Sequence, residues 1–160
     1  MKLLLKGGTV VGGSVSQRAD LLIDGEKIAA VGENLCAEGA QVVDVTGKLL
    51  FPGFIDAHTH FDLDVCNTTT ADDFTSGTRS AICGGTTMVI DFVCPNKGET
   101  LGYGLSLWHK KADGKSSCDY GFHMTIDDWN EGIRAEIPQM FEAGIPSFKM
   151  YMTYPAMMIG

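Results

Sequence analysis

The stretch PGFIDAHTHFD, residues 52–62, decides how the chain is organised. It begins with a Pro-Gly pair and continues as a short apolar strand that ends in two histidines, His58 and His60. Because side chains alternate along a strand, Asp56, His58 and His60 are predicted to share one face. Two imidazoles on one face can chelate a transition metal, preferably zinc. The HxH pair alone is a weak pattern, since two polar residues at a strand end have the same spacing.

Residues 1–51, upstream of this stretch, consist of short apolar runs separated by turn residues. The turn pairs are Gly7-Gly8, Asp24-Gly25 and Thr46-Gly47. Asp-Gly between two apolar runs is a strong hairpin signal. The pattern predicts a first domain, residues 1–51, that is an antiparallel all-β layer.

Residues 52–160 alternate between strand and helix patterns. Strands are predicted over 54–60, 86–93, 118–126 and 147–152. Helices are predicted over 71–83, 99–112 and 129–143, the last kinked or divided at Pro138. Four parallel strands with crossover helices are the first half of an eight-stranded (β/α)8 TIM barrel. A half barrel has open edges, so the chain is either an open sheet or part of something longer.

The composition narrows the classes of partner. With 44% hydrophobic residues, the chain can bury a core, and 12 Lys+Arg against 20 Asp+Glu give a formal charge of -8. This acidic balance, without a basic stripe, argues against nucleic acid. No apolar stretch approaches a membrane span or a signal peptide, so a cytoplasmic location is predicted. The five cysteines include no CxxC pair, which indicates neither a disulfide framework nor a thiolate zinc site.

A second candidate site lies in SFKMYMTY, residues 147–154. If Phe148 packs on helices, Lys149 faces the barrel interior. Burying an ammonium group costs several kcal/mol unless it is paired or loses its proton. A neutral amine can add carbon dioxide and become a carbamate, which could bridge two metal ions. The alternative is a lysine that reaches solvent or pairs with an inward acid.

Four motifs together resemble the hydantoinase/dihydropyrimidinase branch of the cyclic amidohydrolases. They are PGFIDAHTHFD, GGTTMVIDFV, DYGFHMTI and FKMYMTY. The resemblance spans the whole chain, but that family is nearly three times as long, so only its first third is matched. It implies a β-sandwich that flanks a metal-dependent (β/α)8 barrel, usually in a homotetramer.

The resemblance also implies the site. His58 and His60 would bind one of two divalent metal ions, most likely zinc, and Lys149 would be carboxylated and bridge both. Tyr154 would hydrogen-bond the substrate or its oxyanion, although by position it is only a strand-end tyrosine. The substrate would be a small cyclic ureide, opened to an N-carbamoyl amino acid. The remaining ligands and a catalytic aspartate lie beyond this sequence, so the segment alone is predicted to be inactive.

Three further residues have two readings each. Asp56 and Asp91 are predicted to point inward, where each would orient a ligand histidine or pair with Lys149. His123 is predicted to face inward, either supporting the ligands or hydrogen-bonded within the core. The Asp127-Asp128 pair is typical of a helix start.

Two other functional classes remain open. Allantoinase and dihydroorotase are related hydrolases, but dihydroorotases tend to carry an arginine just after the HxH pair, where this chain has Phe61. A non-catalytic scaffold related to dihydropyrimidinases would keep the fold and lose the metal ligands. Retention of His58, His60 and Lys149 argues against the scaffold.

Overall fold

In the computed structural model of the protein, residues 1–152 are described. The chain forms two compact units, Met1–Pro52 and Gly53–Gly160. Five strands build the first unit. They are β1 (Lys2–Val11), β2 (Ser16–Asp24), β3 (Lys27–Gly32), β4 (Gln41–Asp44) and β5 (Leu49–Leu50).

The sheet of the first unit is mixed, so the prediction of an antiparallel layer is wrong in part. β1 pairs antiparallel with β2, and β2 with β3 through the predicted Asp24-Gly25 turn. β4 and β5, however, both run parallel to β1. The Thr46-Gly47 turn therefore joins two strands that both run parallel to β1. A hairpin turn would have reversed the direction of the chain.

The Gly7-Gly8 pair is a bulge within one continuous strand, where the sequence predicted a turn. The register between β1 and β2 shifts from Leu5 opposite Leu21 to Gly8 opposite Ala19. Gly7 has φ +80, in the left-handed region that favours glycine. Its amide donates to Asp20 Oδ1 at 2.9 Å, which satisfies the group that the bulge removes from the ladder.

The second unit is the first half of a (β/α)8 barrel, as predicted. Its main strands are β6 (Phe54–Thr59), β9 (Thr86–Val93), β10 (Asp119–Thr125) and β11 (Phe148–Lys149). They lie in the order β11-β10-β9-β6, and all pairs are parallel. The short strands β7 (Asp64–Val65) and β8 (Thr68–Thr69) form a separate hairpin in the loop after β6.

Three helices connect the barrel strands: α1 (Phe74–Cys83), α2 (Leu101–Ala112) and α3 (Glu131–Glu142). Side chains cap each amino terminus, and Asp73 forms a capping box with Ser76. Asn130 caps α3, so the prediction that Asp127-Asp128 starts this helix is wrong. Pro138 lies inside α3, which continues undivided past it.

The buried core lies between the helices and one face of the parallel sheet. Phe74 and Met124 are 0% exposed, and Trp108 of α2 is 4% exposed. They belong to one cluster of apolar side chains.

Among residues 1–152, no helix has the length and apolarity needed to cross a membrane. The five cysteines are free thiols.

Candidate functional site

The two faces of the parallel sheet carry different residues. Phe122 packs in the core on the helix side, and its partner on the neighbouring strand is Asp91. The next pair along the strands is Phe92 with His123. Because paired residues in a sheet share a face, Asp91 lies on the helix side while Phe92 and His123 lie on the inner face.

The Phe92 ring is the centre of a group of side chains on this inner face. Its centroid lies 4.6 Å from that of His58, 5.1 Å from that of His60 and 4.8 Å from that of His123. Lys149 Nζ is 4.1 Å from the same centroid. The inner cluster therefore comprises His58, His60, Phe92, His123 and Lys149.

His58 and His60 point the same way, as alternation along the strand predicts. Their ring centroids are 5.1 Å apart and the rings are nearly perpendicular. His60 Nδ1 is buried and has no hydrogen-bond partner among the described residues. Burial, followed by the charge of Lys149 and then His58, lowers the pKa of His60. A neutral imidazole with a free nitrogen is the form that binds a metal ion, so these residues fit the ion that the HxH pair suggests.

The described residues do not by themselves form a complete metal site. Within residues 1–152, no group of three or more His, Cys, Asp or Glu side chains is arranged to hold a metal ion. His58 and His60 are two nitrogen ligands, whereas zinc sites usually have three or four protein ligands. A metal ion bound by His58 and His60 would therefore need further ligands, from a modified Lys149 or from outside the described residues.

Lys149 is half-buried, and its ammonium group lies over two aromatic rings. Its Nζ lies 4.1 Å from the Phe92 centroid and 5.0 Å from that of Tyr151. No carboxylate of residues 1–152 forms a salt bridge with it. The expectation that Asp56 or Asp91 pairs with Lys149 is therefore wrong.

Asp91 is 0% exposed but faces away from the inner cluster, which corrects the predicted inward orientation. Its Oδ2 accepts hydrogen bonds from Thr59 Oγ1 and from the Phe61 amide, both at 2.9 Å. Its Oδ1 accepts from Trp108 Nε1 at 2.9 Å. Burial raises the pKa of Asp91, and these donors partly oppose the rise. Asp91 therefore contacts the residues on both sides of His60 but neither the His58 nor the His60 imidazole.

Asp56 does not share the face of His58 and His60. The register pairs Asp56 with Val89 and Thr59 with Asp91, so three steps along β6 match two along β9. Because of this irregularity, Asp56 and His58 lie on opposite faces although they are two residues apart. Asp56 Oδ1 accepts a hydrogen bond from the backbone amide of His58 at 3.1 Å, so it contacts the backbone of His58 and not its imidazole.

His123 lies on the inner face as predicted, and both ring nitrogens have partners. Nε2 lies 3.1 Å from the Ala57 carbonyl oxygen, and Nδ1 contacts Ser147 Oγ. The ring thus links β10 to the residue before β11 on one side and, past β9, to β6 on the other. This matches the hydrogen-bonded reading of His123, while a supporting role toward the ligands stays a prediction.

Asp127 is a polar residue of the strand ends that the sequence assigned wrongly to a helix start. It follows β10, and its Oδ1 is buried without a partner among the described residues. Burial raises the pKa of Asp127, and the charge of Lys149 opposes the rise.

Tyr154 lies outside the described residues.

Sequence reasoning missed the Phe92 ring and the Asp91 contacts for one reason. The run TTMVIDFV is apolar on both faces, so its alternation does not reveal which side chains face inward. A signal was available in the acidic residue, because a buried carboxylate requires donors. Trp108, in the following helix, carries such a hydrogen-bond donor in its indole N–H.

Comparisons with known proteins identify relatives of this chain. Residues 49–114 match the amidohydrolase family. The chain is 48% identical over 155 residues to the D-hydantoinase of Geobacillus stearothermophilus, covering 96% of this chain and 33% of that protein. It is 43% identical over 154 residues to the dihydropyrimidinase of Dictyostelium discoideum, covering 95% of this chain and 31% of that protein.

A solved structure shows the same fold. The crystal structure of dihydropyrimidinase from Brevibacillus agri matches with a TM-score of 0.96 and 44% identity, over 100% of this chain and 35% of that one. The chain thus spans about a third of the length of the relatives it matches. From the fold, the motifs and these similarities, the chain belongs to the hydantoinase/dihydropyrimidinase family of amidohydrolases, of which it represents an amino-terminal portion.

Proposed function

We propose that the chain is part of a metal-dependent hydrolase that opens the cyclic amide bond of hydantoins or dihydropyrimidines and yields N-carbamoyl amino acids. The observation that carries the proposal is the inner cluster, in which His58, His60 and Lys149 converge on one aromatic ring. Relatives that match 96% and 95% of this chain are named D-hydantoinase and dihydropyrimidinase. The substrate would be a small cyclic ureide.

His58 and His60 would hold one of two divalent ions, zinc being preferred by imidazole ligands. The unpartnered Nδ1 of His60 supports this role, because a buried polar atom without a hydrogen bond is costly unless a ligand satisfies it. When bound, the metal ions supply Lewis acidity and lower the pKa of water. The chain contributes two neutral imidazoles held in one orientation.

Lys149 would bridge the two ions as a carbamate. Its deprotonated amine adds carbon dioxide, forming a nitrogen–carbon bond and releasing a proton, and the lysine gains a carboxylate end. As an ammonium, the group gains about 0.5–2 kcal/mol from an aromatic face, and the modification forfeits this contribution from Phe92. Carboxylation is therefore expected to require bound metal, whose attraction for the new carboxylate offsets the loss.

The remaining parts of the machinery come from the resemblance. Tyr154 would stabilise the oxyanion that develops as the ring opens. Further ligands and the aspartate that protonates the leaving nitrogen would come from the part of the relatives that this chain does not match, so the 160-residue chain alone is expected to be inactive. A cytoplasmic homotetramer is the corresponding expectation for the whole enzyme.

The test uses the full-length protein that contains this chain. We expect about two metal ions per chain, electron density for a carboxylated Lys149, and turnover of hydantoin or dihydrouracil in preference to allantoin. His58→Ala and Lys149→Ala should lower the metal content. His109→Ala is the matched control, because His109 pairs with Asp113 on α2 and should keep full metal content.

Two results would contradict the proposal. Unchanged metal content in both His58→Ala and Lys149→Ala would remove the site assignment. A metal-loaded full-length protein without turnover of any of the three substrates would favour the scaffold class.

A further inference from the structure

His60 lies just beyond the end of its strand, where no sheet ladder holds it. β6 ends at Thr59, and Thr59 with Asp91 is the last register pair between β6 and β9. Two residues after His60, Asp62 takes φ +50, a left-handed conformation that is uncommon for a residue other than glycine. The backbone around His60 therefore needs other contacts to keep one conformation.

Asp91 supplies those contacts from the opposite face of the sheet. A single oxygen, Oδ2, accepts both the Thr59 hydroxyl and the Phe61 amide at 2.9 Å. These two donors belong to the residues immediately before and after His60. Fixing both neighbours of a residue in a non-repetitive segment restricts its backbone and thereby its imidazole.

Two residues of α2 complete this arrangement. Trp108 Nε1 donates to the other oxygen of Asp91 at 2.9 Å, and Trp108 is 4% exposed. Lys111 Nζ lies 4.5 Å from the centroid of the Trp108 ring and donates to the Asp62 carbonyl oxygen. The helix thus contacts the segment after β6 both through Asp91 and directly.

Burying a carboxylate costs free energy, which its hydrogen bonds have to offset. Replacing buried charged groups by well-packed apolar residues is often neutral or stabilising. Val89 and Val93 occupy the same face of β9 and are 0% exposed, so the Asp91 carboxylate lies among apolar side chains and is the acceptor for all three donors. The geometry of the three hydrogen bonds gives the carboxylate a positioning role.

We propose that Asp91, Trp108 and Lys111 form a clamp that positions His60 for metal binding through Thr59, Phe61 and Asp62. The inference rests on the proposed function, because that function assigns His60 to the metal. The clamp residues touch neither substrate nor metal, so they are positioning residues. Loss of a hydrogen bond made directly to a metal ligand typically lowers metal affinity 10- to 100-fold, which sets the scale for these contacts to the neighbours of His60.

The test compares two identical substitutions in the full-length protein. Thr59→Val removes the hydroxyl that donates to Asp91. Thr78→Val is the control, because Thr78 is 0% exposed and its hydroxyl contacts Phe74 and Ser117 instead. Zinc affinity is measured by chelator competition, and unfolding by urea. We expect Thr59→Val to weaken zinc binding at least about tenfold, and Thr78→Val to lose stability without a change in affinity.

A second measurement does not depend on metal. In the metal-free protein, hydrogen exchange of the peptide that contains the Phe61 amide should be at least about tenfold faster in Asp91→Asn and in Trp108→Phe, because the local opening energy falls. Lys111→Met should speed it less, with Lys115→Met as control, since Lys115 Nζ donates to the Lys110 carbonyl oxygen. The conservative Thr59→Ser should restore the zinc affinity lost in Thr59→Val.

The outcomes separate the clamp from the proposed function. Zinc affinity and Phe61 exchange that change equally in Thr59→Val and Thr78→Val would overturn the clamp. A wild-type protein that binds no zinc would overturn the proposed function, while Phe61 exchange would still decide whether the clamp holds the segment. If Asp91→Asn fails to fold, Thr59→Val and Lys111→Met carry both measurements.

Discussion

Lys149 Nζ lies 4.1 Å from the centroid of the Phe92 ring, and three imidazoles contact the same ring. Phe92 thus forms the apolar surface against which the candidate metal ligands pack. Its 7% exposure means that truncation leaves a gap beneath those side chains.

Phe92→Leu tests this relationship. The free energy of unfolding should fall by about 1–2 kcal/mol, from lost burial and imperfect repacking, and zinc affinity of the full-length protein should fall as well. Phe122→Leu is a matched control, because Phe122 is also 7% exposed but faces the helices. Urea unfolding and chelator competition measure the two effects. Equal losses of zinc affinity in both variants would contradict the role of Phe92.

The protonation of His60 is expected to depend on its burial. Since the pKa of His60 is lowered from its ordinary value of about 6.5, the unfolded chain binds this proton more readily than the folded one. The folded metal-free protein should therefore lose stability as the pH falls below about 6.5, down to the folded pKa. Above that window, the contribution of the neutral imidazole is fully present.

Titration of the His60 ring by NMR measures the pKa directly, and urea unfolding between pH 5 and pH 8, the range in which histidine charge changes, measures its consequence. His60→Gln should flatten this part of the stability profile. A His60 midpoint at or above the ordinary histidine value would contradict the prediction.

Gly77 of α1 allows the Phe61 ring to lie against the helix. A Cβ added at Gly77 would meet Phe61 Cε1 at 2.1 Å. Gly77→Ala should therefore destabilise the protein by about 1–3 kcal/mol through overpacking, although alanine has the higher helix propensity. Because Phe61 adjoins His60, the displaced ring should also weaken zinc binding.

A double-mutant cycle checks the cause. The cost of Gly77→Ala should shrink in a Phe61→Leu background, since the smaller side chain can move away. Gly102→Ala is the control, because the nearest atom to its added Cβ is Glu136 Oε2 at 3.8 Å. This variant should be neutral or stabilising. An equal cost of Gly77→Ala in both backgrounds would disprove the contact as its source.

Asp127 carries a buried oxygen without a partner among the described residues. Because burial raises the pKa of Asp127 in the folded state, the metal-free protein should lose stability as the pH rises above the ordinary aspartate value of about 3.9, toward the folded pKa. Asp127→Asn removes this charge and should be more stable than the wild type at neutral pH, with the difference shrinking in acid.

Asp128→Asn provides the contrast, since Asp128 accepts the Trp129 amide at 2.9 Å and has a donor to lose. Urea unfolding at neutral and acid pH compares the two variants. A loss of stability in Asp127→Asn at neutral pH would show that the carboxylate has a partner in solution.

Local patterns determined much of this protein from sequence alone. The alternation of strand and helix predicted the half barrel, because each periodicity matches one way of burying an apolar face. The His-Thr-His sequence predicted that His58 and His60 lie on one face, since side chains two residues apart along a strand point the same way. The family motifs identified the cyclic amidohydrolases.

Only the tertiary structure decided which face each acidic residue takes and what surrounds Lys149. The register irregularity in β6 turned Asp56 away from the histidines, and a strand apolar on both faces concealed that Asp91 lies beneath them. Alternation gives relative orientation within one regular strand, whereas irregularities and long-range hydrogen bonds depend on neighbouring strands and helices. The contact between Asp91 and Trp108 spans 17 residues of sequence, and packing of α2 on the sheet brings it about.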